Sequence, residues 1–146
     1  MPIEGFAEMV ARRVYPSMTA VESDIARAFL RAHEQTYDRV DWNVRLGDGV
    51  DPGGDVDASI REMARLVTQK RADLVAWSED VPTLVEVKMR IGLSALGQLL
   101  GYRSLWGKKY PGWPRAHLLA VGKDIAAEVA DVMGDNDIRV ELFPWA

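Results

Sequence analysis

The sequence predicts an α/β fold: a mixed central sheet packed between helices. Three observations predict it. Apolar residues recur at helical spacing in several segments, and between these lie short runs rich in Val, Leu and Trp. The helical and extended segments interleave along the chain, which argues for one sheet covered by helices. The runs at residues 83–89 and 116–121 are separated by one long helical stretch, the signature of a right-handed parallel crossover.

Residues 1–18 form an N-terminal segment with a short helix around Ile3 to Val14, ended by Pro16. Thr19-Ala20-Val21-Glu22 matches a capping box and opens a helix that runs to about Gln35. Val21, Ile25, Ala28, Phe29 and Ala32 share its apolar face. Tyr37 to Leu46 alternates as a strand, with Val40, Trp42, Val44 and Leu46 on one side. Gly47 to Asp55 is an exposed acidic loop whose spacing fits no EF-hand. Ser59-Ile60-Arg61-Glu62 is a second capping-box match, leading a short helix to about Thr68.

Arg71–Trp77 and Thr83–Met89 read as the strands of a hairpin. Gly92 and Ser94 start a helix over about Ala95 to Trp106, ended by Gly107. Ala95, Leu96, Leu99, Leu100, Tyr102 and Trp106 form its apolar side, with Trp106 in the core. Lys108 to Pro114 is a loop rich in aromatics, Ala116–Val121 a strand and Gly122 a turn. A helix from Asp124 to Met133, broken at Asp135 and Asn136, precedes a last strand at Ile138–Phe143.

A chain of 146 residues without repeats or low-complexity tracts is expected to form a single domain, 1–146. The absence of cysteine removes disulfides, thiolate metal sites, iron–sulfur clusters and cysteine nucleophiles, and is compatible with a cytoplasmic protein. Met1 to Val14 lacks the apolar core of a signal peptide, and no run approaches a membrane span, so no membrane partner is expected. The two histidines are expected to be structural (His117) and solvent-facing (His33), which argues against histidine-led catalysis.

The hairpin carries charge where buried strands should carry none. Glu86 and Lys88, two apart on a strand, project to one face. Asp73 joins them there if the intervening loop, Ser78 to Val81, is even; an odd loop sends it to the other face. Two close carboxylates repel unless a cation lies between them, and Mg²⁺ suits oxygen ligands. A salt bridge of Lys88 to either acid on an exposed sheet face is the competing reading of the same spacing.

Asp73 followed by Glu86-Val87-Lys88 resembles the core of the PD-(D/E)XK nuclease superfamily, and Gln98-Leu99-Leu100-Gly101-Tyr102 is similar to the QxxxY motif of its RecB-like and Holliday-junction-resolvase-like members. The likeness covers roughly residues 19–121, and Asp73 lacks the proline of the name motif. The resemblance implies a restriction-endonuclease-like αβββαβ core with an extra C-terminal helix and strand, and a Mg²⁺- or Mn²⁺-dependent nuclease acting on nucleic acid, DNA first. It implies metal ligation by Asp73, Glu86, the Val87 carbonyl and Glu22. Lys88 would assist the attacking water, and Gln98 and Tyr102 would orient the site. Glu22 competes with its own role in the capping box. A homodimer or a recruiting protein partner is also implied, since the chain carries no recognisable specificity domain.

Net charge is −4, yet Lys88 to Lys123 holds seven basic residues and no acid, leaving 11 basic against 22 acidic residues elsewhere. A shared basic surface is expected there, with Arg90, Arg103, Lys108 and Lys109 neutralising phosphates. Tyr110 and Trp113 could stack on unpaired bases or pack around the prolines beside them. Two other function classes fit the sequence: a non-catalytic nucleic-acid-binding or assembly module on the same fold, and a small metal-binding regulator using the loop at Asp48 to Asp57.

Overall fold

The protein was analysed as a computed structural model, which describes residues 2–49, 51, 53–55, 57–68 and 70–146. The elements run α1 (Phe6–Ala11), α2 (Ala20–Ala32), β1 (Arg39–Arg45), α3 (Ala58–Thr68), β2 (Arg71–Ser78), β3 (Val81–Ile91), α4 (Leu93–Lys109), β4 (His117–Ile125), α5 (Ala127–Asp135) and β5 (Ile138–Leu142). Five strands form one sheet in sequence order. The β1–β2 and β2–β3 pairs are antiparallel; β3–β4 and β4–β5 are parallel. The sheet is therefore mixed, and helices flank it.

The capping box of α2 is complete: the Thr19 hydroxyl accepts from Glu22 N–H, and Glu22 Oε1 accepts from Thr19 N–H at 2.9 Å. Its buried face is Ser23, Ile25, Ala26, Phe29 and Leu30, rotated from the predicted one, and Val21 stays exposed. A broad sheet covers a wider stripe than one row of apolar residues, so Ala26 and Leu30 are drawn in. Burying Ile25, Phe29 and Leu30 contributes roughly 1.5–3 kcal/mol each, against about 1 kcal/mol for the cap. Packing therefore holds this helix, and the cap sets where it begins. The preceding segment is tied down by Arg27, whose guanidinium donates to the Val10, Arg12 and Arg13 carbonyls.

Several predicted boundaries move. α1 ends at Ala11, well before Pro16, because Arg12 is already extended. α3 begins earlier than Ser59: the Asp57 carboxylate accepts from Ser59 N–H at 3.2 Å, so Asp57 caps it. Gly107 does not end α4, which continues to Lys109, and Gly92 rather than Ser94 precedes its first turn. Of the acidic loop, Val50, Pro52 and Val56 lie outside the described residues.

Gly122 is not a turn but the middle of β4, between Lys88 and Leu142. A Cβ there would lie 2.6 Å from the Lys88 carbonyl oxygen and 2.8 Å from Ile91 Cγ1, so no side chain fits. The strand needs glycine where β3 and β4 press together behind Lys88.

Two cores sandwich the sheet. α1 and α2 cover Leu74, Ala76, Val85, Val87, Leu119 and Val121. α4 and α5 cover Val75, Trp77, Leu84, Leu118 and Ala120. β1 serves both, against the predicted single face: Val40 and Trp42 pack in the first core, Val44 and Leu46 in the second. Between them Asn43 adopts φ 51°, a left-handed conformation that asparagine tolerates, and the strand rolls over at that residue.

Candidate active site

The site lies where two strands part. β2 and β3 pair from Ser78↔Val81 up to Leu74↔Val85, and no further. β2 then follows β1 to Arg45↔Arg71, while β3 follows β4 to Ile91↔Ile125. One step beyond Leu74↔Val85 the register sets Asp73 across from Glu86, as an even loop requires. Because Ser78 and Val81 themselves pair, the turn is the two residues Glu79 and Asp80. Glu79 takes φ 55°, and its N–H donates to the Asp38 carboxylate, which pins the turn.

Where the ladder stops, a side chain replaces it. Asp73 Oδ2 accepts from Val87 N–H at 2.7 Å. In a strand the N–H and C=O of one residue point to the same neighbour, so the Val87 carbonyl is also directed at the gap. Glu86 is only 3 % exposed and faces the α4 side with Lys88. Lys88 Nζ stands 3.5 Å from Glu86 Oε1, and Glu86 Oε2 is buried without a hydrogen-bond partner among the described residues. The ion pair predicted as the competing reading is therefore present, but with a buried Glu86 and a half-buried Lys88 rather than on an exposed face.

Burial pushes the Glu86 carboxyl up to about 8; the neighbouring Asp73 charge adds to this, and Lys88 and Tyr102 only partly offset it. Asp73 is raised too, by burial first, against the Val87 hydrogen bond and Lys88, while the Glu22 charge pushes the same way as burial. α4 lays Tyr102 beside the pair, with Gln98 against Tyr102. Tyr102 is raised by burial and then by the Glu86 and Asp73 charges, so its hydroxyl stays a donor. Gln98 Oε1 is buried and unpartnered among the described residues.

Two carboxylates with raised proton affinity and an orphaned oxygen suit a hard divalent cation, which needs only one or two carboxylates and keeps its waters. The donor set is smaller than the four-ligand expectation. Among the described residues no group of three or more His, Asp or Glu side chains is placed to hold a metal. Glu22, whose charge reaches Asp73, is held in the capping box.

The acid-free basic span does not gather on one surface. Arg90 follows Glu86 and Lys88 on the same side of β3 and is exposed. Arg103 lines a hollow with Arg115, His117 and Asp137. Lys108 and Lys109 line another with Leu46, Gly47 and Asp48, and Lys109 Nζ donates to the Arg45 carbonyl at 2.7 Å. Arg103 and Lys108 are about 140° apart around the helix. Tyr110 packs on Trp106 with ring centroids 4.5 Å apart, and Trp113 stands edge-to-face with Trp77, centroids 5.7 Å apart, while staying 48 % exposed. Trp106 is core, as predicted.

The histidines reverse their predicted settings. His117 is exposed at the start of β4. His33 is part-buried, with Nε2 2.7 Å from Glu141 Oε2; the partner is 108 positions away, beyond any local signal. Asp51 in the acidic loop is engaged by Arg61 at 2.7 Å and by Gly53 N–H, which hold its carboxyl down at about 2.

Sequence reasoning missed Gly122 and Asn43. For Gly122 the signal was available, since a glycine within a strand marks a close backbone approach. No family model, no curated protein and no solved structure matches the chain. No helix among the described residues is long and apolar enough to cross a membrane.

Proposed function

We propose that this protein is a PD-(D/E)XK-type, metal-dependent nuclease that hydrolyses phosphodiester bonds of nucleic acid, DNA first. The observation that carries the reading is the half-buried Asp73 and buried Glu86 beside Lys88, with Glu86 Oε2 unpartnered among the described residues, in the gap between β2 and β3. Burying Glu86 with an orphaned oxygen next to a second acid costs stability, and structures keep such an arrangement where it serves a function.

Asp73, Glu86 and the Val87 carbonyl would hold Mg²⁺ or Mn²⁺, with Glu22 nearby. When bound, the ion would supply an acidified water and neutralise charge building on phosphate. Lys88 Nζ, within reach of Glu86, would hold the attacking water and stabilise the pentacovalent phosphorus. Water would attack in line with the leaving oxygen. Tyr102 and Gln98 would hold Glu86 in its orientation. Arg90 would take a phosphate next to the site, and Lys108 and Lys109 phosphates farther along. The exposed face of Trp113 is free to stack on a base, whereas Tyr110 supports it from within.

A second reading, a non-catalytic nucleic-acid-binding or assembly module, is favoured by the lack of a three-carboxylate group among the described residues and by the commitment of Glu22 to its cap. Single-stranded, duplex and branched DNA incubated with Mg²⁺ or Mn²⁺ separate the two. Cleavage that disappears in both Lys88→Ala and Glu86→Ala supports the nuclease; binding without cleavage under either metal supports the module.

A further inference from the structure

A second polar hollow lies on the other flank of α4. Arg103 from α4, Arg115 from the connection to β4, His117 at the first position of β4 and Asp137 from the turn before β5 line a cavity of about 340 Å³. That is the lower end of the ~300–1,000 Å³ typical of small-molecule pockets. Arg103 follows Tyr102 in sequence but is turned about 100° from it, toward β4 and away from the carboxylate pair.

Two guanidinium groups and an imidazole, from α4 and from the segment entering β4, converge here. Two guanidiniums sharing one hollow repel unless an anion lies between them. Arg103 is part-buried, and no salt bridge joins it or Arg115 to an acid among the described residues, although Asp137 lines the same hollow. Arg103, Arg115 and His117 all belong to the acid-free span, so the sole acid at the hollow comes from outside it. Planar guanidinium forks match phosphate oxygens in pairs. A carboxylate at the rim disfavours a bare anion but accepts a hydrogen bond from a hydroxyl.

We propose that Arg103, Arg115 and His117 form a phosphate-binding site, separate from the carboxylate pair, for a phosphate ester carrying a nearby hydroxyl: a nucleotide. Asp137 accepts from the sugar hydroxyl. The nucleotide is either the 5′-phosphorylated end of an RNA strand, whose terminal 2′-hydroxyl is free, or a free mononucleotide. Binding here does not depend on the nuclease reading, because no bond is broken.

The test uses the full chain in EDTA, so that no cleavage intervenes. Its affinities for a 5′-phosphorylated and a 5′-hydroxyl single-stranded oligoribonucleotide are compared by fluorescence anisotropy, and AMP is titrated by calorimetry. Phosphate-dependent affinity should fall about tenfold or more in Arg103→Ala and in Arg115→Ala, the loss expected for one charge-assisted hydrogen bond. Arg115 is exposed, so its variant reports even if Arg103→Ala disturbs packing. Preference for the phosphorylated oligonucleotide assigns the strand end; AMP binding without that preference assigns the free nucleotide. Lys88→Ala should leave either result unchanged. The proposal is overturned if neither probe shows phosphate-dependent binding, if the arginine variants bind as the parent does, or if Lys88→Ala abolishes the effect.

Discussion

Asp73 and Val87 are joined by a side-chain-to-backbone hydrogen bond of 2.7 Å at the place where two strands cease to pair. The bond satisfies an N–H that the departing strand would leave orphaned, and such a group buried without a partner costs about 1–3 kcal/mol. It also fixes one carboxylate oxygen of Asp73. The acid thus ends a ladder and furnishes the candidate site with the same side chain, and Glu86 stands opposite with an oxygen that has no hydrogen-bond partner among the described residues.

Stability of the metal-free protein should fall as pH rises from about 4.5 to about 8, the interval between the ordinary and the folded carboxyl of Glu86. Between those limits the folded protein keeps a proton that the unfolded chain has lost, and such linkage favours the folded state at the acid end. Asp73 is raised and acts in the same direction. Each unit is worth ~1.4 kcal/mol. Melting temperature measured across this range in EDTA should show the slope, and Glu86→Gln should flatten it. Mg²⁺ or Mn²⁺ should raise the melting temperature more at pH 8 than at pH 5.5, since protons compete for the same oxygens. Equal metal shifts at both pH values would remove the pair from metal binding.

Glu22→Gln separates two duties of one residue. Glutamine can complete a capping box, so the melting temperature should hold, while the charge beside Asp73 is lost. Thr19→Ala should do the reverse, costing about 1 kcal/mol of stability with the site charge retained. If Glu22→Gln cleaves DNA as the parent does, Glu22 is a cap and nothing more.

Tyr102→Phe keeps the ring and removes the hydroxyl beside Glu86. That hydroxyl lowers the proton affinity of Glu86, so the acid limb of the cleavage pH profile should move to higher pH, with a rate loss of about tenfold or more. A uniform fall in rate with no movement of the limb would make Tyr102 a packing residue.

Gly122→Ala places a methyl 2.6 Å from the Lys88 carbonyl oxygen. Overpacking of this kind costs about 1–3 kcal/mol. The strand that yields is the one carrying Lys88 and Glu86, so cleavage should fall more than stability. Gly97→Ala, on an open face of α4 where a Cβ meets nothing within 4 Å, serves as the control and should stabilise the protein. Equal activity in the two variants would show that the β3–β4 contact does not position Lys88.

Much of the architecture was legible because its causes are local. Thr19 and Glu22 lie three apart and cap their own helix. The period of two put Glu86 and Lys88 on one face, and turn parity decided whether Asp73 joined them. Boundaries failed where distant contacts prevail over local preference: Gly107 stays helical because α4 continues across the sheet, and His117 is exposed because β4 has only just begun.

By itself, then, the sequence determined an interleaved α/β chain, its central hairpin and parallel crossover, and the placing of Glu86 and Lys88 on one face, since periodicity needs only neighbours; the two-residue turn that brings Asp73 to that face was decided by the structure. Tertiary structure alone decided that the hairpin parts after Leu74 and Val85, that Glu86 is buried, that Asn43 sends β1 across to the second core, and that Arg103 and Arg115 share a hollow. Desolvation and charge repulsion act through space, so the raised carboxyls and the clustered guanidiniums exist only once packing has brought together residues that are remote along the chain.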